Sequence, residues 1–326
     1  VPARKNARAQ FYELENPMTN ITASMVKDLR DKTGAGMMDC KNALTENNGD
    51  MEAAIDWLRK KGISKAAKKA GRAAAEGLVG VAVDANTGVL LEVNAETDFV
   101  AKNDEFKTFV KDASKLALKE GGDLEKLLGA NMGDATVQQT LTNLVAKIGE
   151  NMSVRRAAAL TVNPGVVAAY VHNAASPELG NIGVLVGLKS TADKDKLGAL
   201  AKQIAMHVAA AAPLALTKEH LDKALVEREY NVQKDIALQS GKPEAVVEKM
   251  MEGRMRKYYE EVVLLQQIYM LDGETPIAKL IEKASKDLGA PVEIEGFVRF
   301  KVGEGIEKAE AVDFADEVAQ MAGTKA

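Results

Sequence analysis

LVGVAVDANTGVLLEVNAETDFVAKNDEF, residues 78–106, changes its period part-way along. LVGVAVD and GVLLEV are runs of β-branched and leucine side chains on either side of the turn sequence ANTG, so they read as paired strands. The pattern then becomes helical, with a helix placed at about 102–119. The order returns further on: GVVAAYVH, a linker ASPELGN, IGVLVGLKS, then a helix at about 193–211. Two strand–strand–helix units predict an α+β core. Their continuous apolar strands need cover on both faces, helices on one and other elements on the other.

Phe99 raises a question of its own, because the chain has only seven phenylalanines and this one sits beside Asp98 at a strand-to-helix turn. Either the ring is a staple under its own helix, or it stays in water as a probe for another protein. Packed rings are the commoner case, so the residues alone favour the staple.

Outward from this core, ITASMVKDLRDKTGAGMMDCKNALTENNGDMEAAIDWLRKKG at 21–62 reads as three short helices. Thr22 or Ser24 caps the first, GAG breaks it, NNGD ends the second and Asp50 caps the third. Met25, Leu29, Met38, Ala43, Leu44, Ile55 and Leu58 recur at helical spacing, enough for a small bundle. A core of this size is marginal alone, so exposed apolar groups, Met37 first among them, are expected to serve a partner. The basic run within 60–77 is read as a helical connector or flexible arm. TVQQTLTNLVAKIGENMSVRRAAAL at 136–160 is read as helical, with Arg155 and Arg156 at its end. Residues 217–262 form two helices split by SGKP at 240–243, where Gly241 ends one helix and Pro243 starts the next. Its exposed flank makes this hairpin a candidate for self-association. PIAKLIEKASKDLG, then the strand within APVEIEGFVRFKVGEGIEK, then VDFADEVAQMA read helix, strand, helix, the strand completing the second unit's sheet.

Chemistry is hard to find. His172, His207 and His220 form no ligand cluster, no HExxH or CxxC exists, and no glycine loop cradles a nucleotide. Cys40, the single cysteine, reads as a packed thiol. No metal, cofactor or catalytic constellation is expected. Net charge is −4 in 326 residues, 28% of them charged, so nucleic-acid binding would need a local patch. The 60–72 run with Arg155 and Arg156 supplies an RNA-binding adaptor as the alternative function. Against it, no aromatic rings interleave the lysines. No apolar run is long enough to cross a membrane, and a cytoplasmic location is expected. Residues 1–17 read as an added segment ahead of a natural start at Met18.

LRDKTGAGMMDCKNAL at 29–44, ETDFVAKND at 96–104, IAMHVAA at 204–210, SGKP and FVRFKVGEGIEK at 297–308 closely resemble the bacterial elongation factor Ts family, in order from about residue 20 onward. The resemblance implies an α+β fold in several parts. These are a UBA-like three-helix module at 18–62, a basic linker at 63–76, a core N-subdomain at 77–160, and a core C-subdomain at 161–216 and 263–303. An inserted coiled-coil hairpin at 217–262 mediates dimerisation, and a C-terminal helical module spans 304–326. It also implies a guanine nucleotide exchange factor, without bond chemistry, that binds elongation factor Tu and disturbs its Mg²⁺ and phosphate site. By resemblance Thr97, Asp98, Phe99, Val100 and His207 carry that disturbance, reversing the staple reading of Phe99. Arg30, Met37, Met38, Lys41, Ile182 and Gly183 are further contact candidates. YMLDGETPIAKL at 269–280 follows the family pattern only loosely, so no contact is transferred there.

Overall fold

The structure, a computed structural model, describes residues 21–33, 35–239 and 243–306, leaving aside the side chains of residues 244 and 245. The readings of residues 1–17, of Gly241 and of the helix at VDFADEVAQMA lie outside these residues.

Three helices open the described chain: α1 Ala23–Thr33, α2 Met37–Glu46 and α3 Met51–Lys69. Thr22 Oγ1 accepts from Met25 N, and Asp50 caps α3 by accepting from Ala53 N. Their core is Val26, Leu29, Cys40, Ala43, Leu44 and Ala54, so the thiol packs inside as expected. Met38, expected in this core, is exposed instead, as is Met37. The run at 60–77 is helix as far as Lys69, where α3 packs along a later helix, α7 Val137–Ile148.

Six strands form one antiparallel sheet. β1 Glu76–Asp84, β2 Thr87–Ala95 and β5 Met152–Thr161 make one half in the order β5-β2-β1. β6 Gly165–Ser176, β7 Leu179–Lys189 and β8 Glu293–Lys301 make the other, with β7 central. Strand pairing joins the halves where Val79 and Gly80 of β1 pair with Gly180 and Leu179 of β7, and Val81 N and Val167 N add hydrogen bonds to Glu178 O and Ala85 O. Beyond that corner they face each other. Val79, Val81 and Leu90 from the first half share a buried cluster with Val167, Leu185 and Phe300 from the second.

The period of two along each strand explains the uninterrupted apolar runs. In β2, Val89, Leu91 and Val93 pack with Phe106, Phe109 and Val110 of α5 Asp104–Lys119, while Leu90 joins the cluster between the halves. In β7, Val184, Val186 and Leu188 pack with Leu197, Ile204 and Val208 of α8 Lys194–Ala211 and Ile281 of α11 Ile277–Leu288, while Leu185 points between the halves. The expected cover on the second face is thus the other half of the same sheet. β8 pairs with β7 as predicted.

Between β2 and β5 lie α4 Asp98–Lys102, α5, α6 Leu124–Gly129, the two-residue strands β3 Asn131–Met132 and β4 Ala135–Thr136, and α7. Here the sequence reading needs correction, because MSVRRAAALT is strand β5 and not the end of a helix. Gly149, at φ 86°, closes α7 in the left-handed conformation. The alanine-rich stretch beyond it pairs with β2 along nearly its whole length, and tertiary pairing overrides its helical propensity. α9 Lys223–Leu238 and α10 Glu244–Val262 are inserted between α8 and α11 and lie antiparallel, with Ala237 beside Val247 and Val226 beside Tyr258 and Tyr259.

Glu92 of β2 is fully buried and polar, and it ties the halves together. Its carboxylate accepts from Arg155 Nη1 at 3.1 Å, Arg156 Nε at 2.5 Å, Asn94 Nδ2 at 3.0 Å and Gly303 N, just beyond β8, at 2.8 Å. Arg156 also lies 4.2 Å over the Phe300 ring. Burial pushes the Glu92 carboxyl up. The Gly303, Asn94 and Arg156 donors more than offset this and hold it below the usual range. Its stabilisation is therefore present above the unfolded carboxyl value and is lost as pH falls through the depressed folded value. Glu92→Ala is expected to cost about 3 kcal/mol in urea unfolding, the low end for a broken buried pair because both guanidiniums keep partial contact with water. Glu92→Gln should flatten the acid limb of the stability curve relative to the parent.

Candidate partner interface

α4 is a single turn fixed at both ends. Before it, Thr97 donates to the Glu150 carboxylate from its backbone N at 3.0 Å and its Oγ1 at 2.9 Å. Asn151 N donates to Glu96, and Asn151 Nδ2 to Arg72 O. After it, Asn103 Oδ1 accepts from Glu105 N and Phe106 N and starts α5. Val100 is the turn's inward anchor, buried in the same cluster as Phe106 and Val93.

With Val100 turned in, the adjacent Phe99 is turned out, and it is 75% exposed. This excludes the staple under its own helix. Asp98 Oδ2 accepts from Lys102 Nζ at 2.7 Å, and that ammonium lies 5.3 Å from the Phe99 ring centre. The Lys102 hydrogen bond holds the Asp98 carboxyl below the usual range, so at neutral pH the turn presents a carboxylate beside an exposed ring.

His207, a contact candidate by resemblance, does not reach the surface itself. It is buried on α8, beneath residues 267–271. Met270 N donates to Nδ1 at 3.3 Å, so Nδ1 carries no proton and Nε2–H donates to Gln267 Oε1 at 2.9 Å. Gln267 Nε2 in turn donates to Glu261 O at 2.7 Å and Ala211 O at 3.3 Å. The histidine thus holds a loop whose Ile268, Met270 and Leu271 are all about half exposed. The sequence reading transferred no contact to Met270 or Leu271 and did not single out Ile268. The available signal was LLQQIYML at 264–271, eight residues without a charge, closed by the turn residues Asp272 and Gly273.

The remaining candidates divide. Arg30, Met37, Met38 and Lys41 are all exposed on the N-terminal helices. Ile182 is half-buried, and Gly183 is interior: a Cβ there would lie 2.6 Å from Val79 Cγ1 of the facing half-sheet. Its lack of a side chain lets the halves close, and it does not form an exposed surface. Arg155 and Arg156, central to the RNA-adaptor alternative, are engaged by Glu92. Within the basic run Lys61 and Lys65 pair with Asp39, and Arg72 with Glu96. Among the described residues no three His, Cys, Asp or Glu side chains are grouped to hold a metal, and no helix is long and apolar enough to cross a membrane.

A family model described as elongation factor TS matches residues 96–304. The chain is 59% identical over 308 residues to elongation factor Ts of Rhodospirillum centenum, covering 94% of this chain and all of that protein. It is 56% identical over 310 residues to that of Maricaulis maris and 54% over 304 residues to that of Rhizobium etli, with 94% and 93% of this chain and 99% and 98% of those proteins covered. These likenesses place the chain among the translation elongation factors. It belongs to the elongation factor Ts family and is a nucleotide exchange factor of translation elongation; the RNA-adaptor alternative is not supported.

Burial pushes the His207 imidazole below its ordinary pKa of 6.5, with the Gln267 hydrogen bond opposing. The neutral ring's contribution is full above the unfolded value and is lost as pH falls toward the folded one, because a proton on Nδ1 would face the Met270 N–H. Hydrogen exchange at the Met270 amide, corrected for its intrinsic pH dependence, should accelerate on acidification below about pH 6. A constant corrected rate would show that the ring does not hold the loop.

Proposed function

We propose that the chain binds elongation factor Tu, and that Asp98 and Phe99 enter this GTPase beside its Mg²⁺ and phosphate site, so that GDP leaves and GTP rebinds. The observation behind this reading is an aromatic ring held in water on a turn fixed at both ends. A buried phenylalanine covers about 150–250 Å². At ~25 cal/mol per Å², docking it is worth roughly 4–6 kcal/mol before the costs of association. Little of that is spent on ordering α4, which is already ordered. Only binding energy gained in the nucleotide-loosened state drives release, because equal affinity for both states shifts nothing. By reciprocity, nucleotide weakens factor binding by the same ratio. The Asp98 carboxylate is available to exchange Lys102 for a donor on the partner.

In this reading Thr97 and Val100 act by fixing the turn. His207 acts through the Met270 loop, which adds an apolar contact. Met37 and Met38, with Arg30 and Lys41 at the edge, form a separate contact on a UBA-like module, where thioethers suit an adaptable surface. Ile182 borders the partner, and Gly183 serves by letting its strand approach the facing one. The 217–262 hairpin is a coiled coil that mediates self-association. Leu225, Val232 and Ile236 on α9, spaced by seven and four residues and all exposed, supply the unpartnered stripe.

Stopped-flow release of labelled GDP from elongation factor Tu tests the proposal. Phe99→Ala should change unfolding free energy by no more than about 0.5 kcal/mol, as for an exposed site, while GDP release slows by at least about tenfold. A stable variant that exchanges at the parent rate would remove Phe99 from the mechanism.

Replacing residues 223–262 by a short linker should give a folded protein that sediments as a smaller species yet still accelerates GDP release. An unchanged assembly size would remove the hairpin from self-association.

A further inference from the structure

A cleft of about 380 Å³ opens between the N-terminal helices and α7. Lys32 reaches it from the end of α1, Arg59, Lys61 and Lys65 from α3, and Lys147 from α7. Among the described residues Asp39 is the only carboxylate in its lining, and it accepts from Lys61 at 3.1 Å and Lys65 at 2.8 Å. Lys147 reaches Glu105, outside the lining, at 2.7 Å. Five cations against these two carboxylates leave three positive charges in excess. Ile55, Leu58 and Ala146 give the cleft an apolar floor, which lowers the local dielectric and strengthens the field.

Charge of one sign converging from three separate helices is a repulsion that the fold carries when the cleft is empty, and a multivalent anion would relieve it. Phosphate suits these donors. Arg59 offers a planar fork for two oxygens, and ammonium groups on opposite walls can reach the others of a tetrahedral group. The cleft is small and no aromatic ring lines it among the described residues, which leaves it without the stacking platform that a nucleic-acid strand uses. We propose that this cleft binds a small polyanion carrying two or more linked phosphate groups.

The test is calorimetric titration of the full chain with pyrophosphate at constant ionic strength, with orthophosphate and an RNA hexamer as separate arms. The variant is Lys32→Gln with Arg59→Gln, since among the described residues neither side chain has an ion pair to lose. Saturable pyrophosphate binding is expected in the parent, weaker binding of orthophosphate, and at least about tenfold weaker pyrophosphate binding in the variant, with the melting temperature of the unliganded variant no lower than that of the parent. Equal pyrophosphate affinity in parent and variant would overturn the proposal. So would no saturable heat up to millimolar pyrophosphate, or binding of the RNA hexamer without binding of pyrophosphate.

Discussion

The Glu92 carboxylate sits where the two half-sheets and the turn after β8 meet, and its four donors come from three different places in the chain. Arg155 and Arg156 approach from β5, Asn94 from β2 itself, and Gly303 from the turn after β8. β1 and β7 share only two residue pairs, so backbone bonds alone give the halves little reason to stay folded over each other. Apolar contact between them supplies the driving force, and the buried charge selects the geometry, because only one arrangement satisfies the carboxylate. Gly183 completes the constraint by removing the side chain that would keep Val79 away.

A core covered on both faces leaves little freedom at its edges, and the candidate interface uses that. Phe99 and the 268–271 loop are both apolar and wet, and each is held from beneath by buried or half-buried polar bonds: Thr97 to Glu150 in one case, His207 to Gln267 and Met270 in the other. Ordering costs about 1–2 kcal/mol per backbone residue. A loop ordered before docking avoids that loss, so more of the hydrophobic gain remains as binding free energy. An exchange factor needs this surplus, since it must compete with a bound nucleotide. On the N-terminal helices the candidate contacts include flexible methionines.

Much of this was legible in the residues. The strands showed in their β-branched runs, and the helix starts at Thr22 and Asp50 in their capping side chains. These signals are local, each set by a few neighbouring side chains. The segment after Gly149 was misread because alanine and arginine favour helix locally, whereas its pairing with β2 lies some sixty residues away in sequence. Met38 was assigned to the core on helical spacing alone, which cannot distinguish the two sides of a short helix that is incompletely covered. The exposure of the Met270 loop could not be read from the residues, because an uncharged run looks the same in sequence whether it is buried or wet.

The sequence by itself determined most of the element types, though not that of the strand after Gly149, together with the α+β class, the family, and the identity of the stretch around Phe99 as the one to examine. Tertiary structure alone decided which way the ring points, that His207 lies beneath the Met270 loop, and that the two arginines face a buried carboxylate. The physical reason is the same in each case: exposure and ion pairing depend on what packs against a residue from far along the chain. Val100 occupies the core beside Phe106, and that contact turns Phe99 toward the solvent.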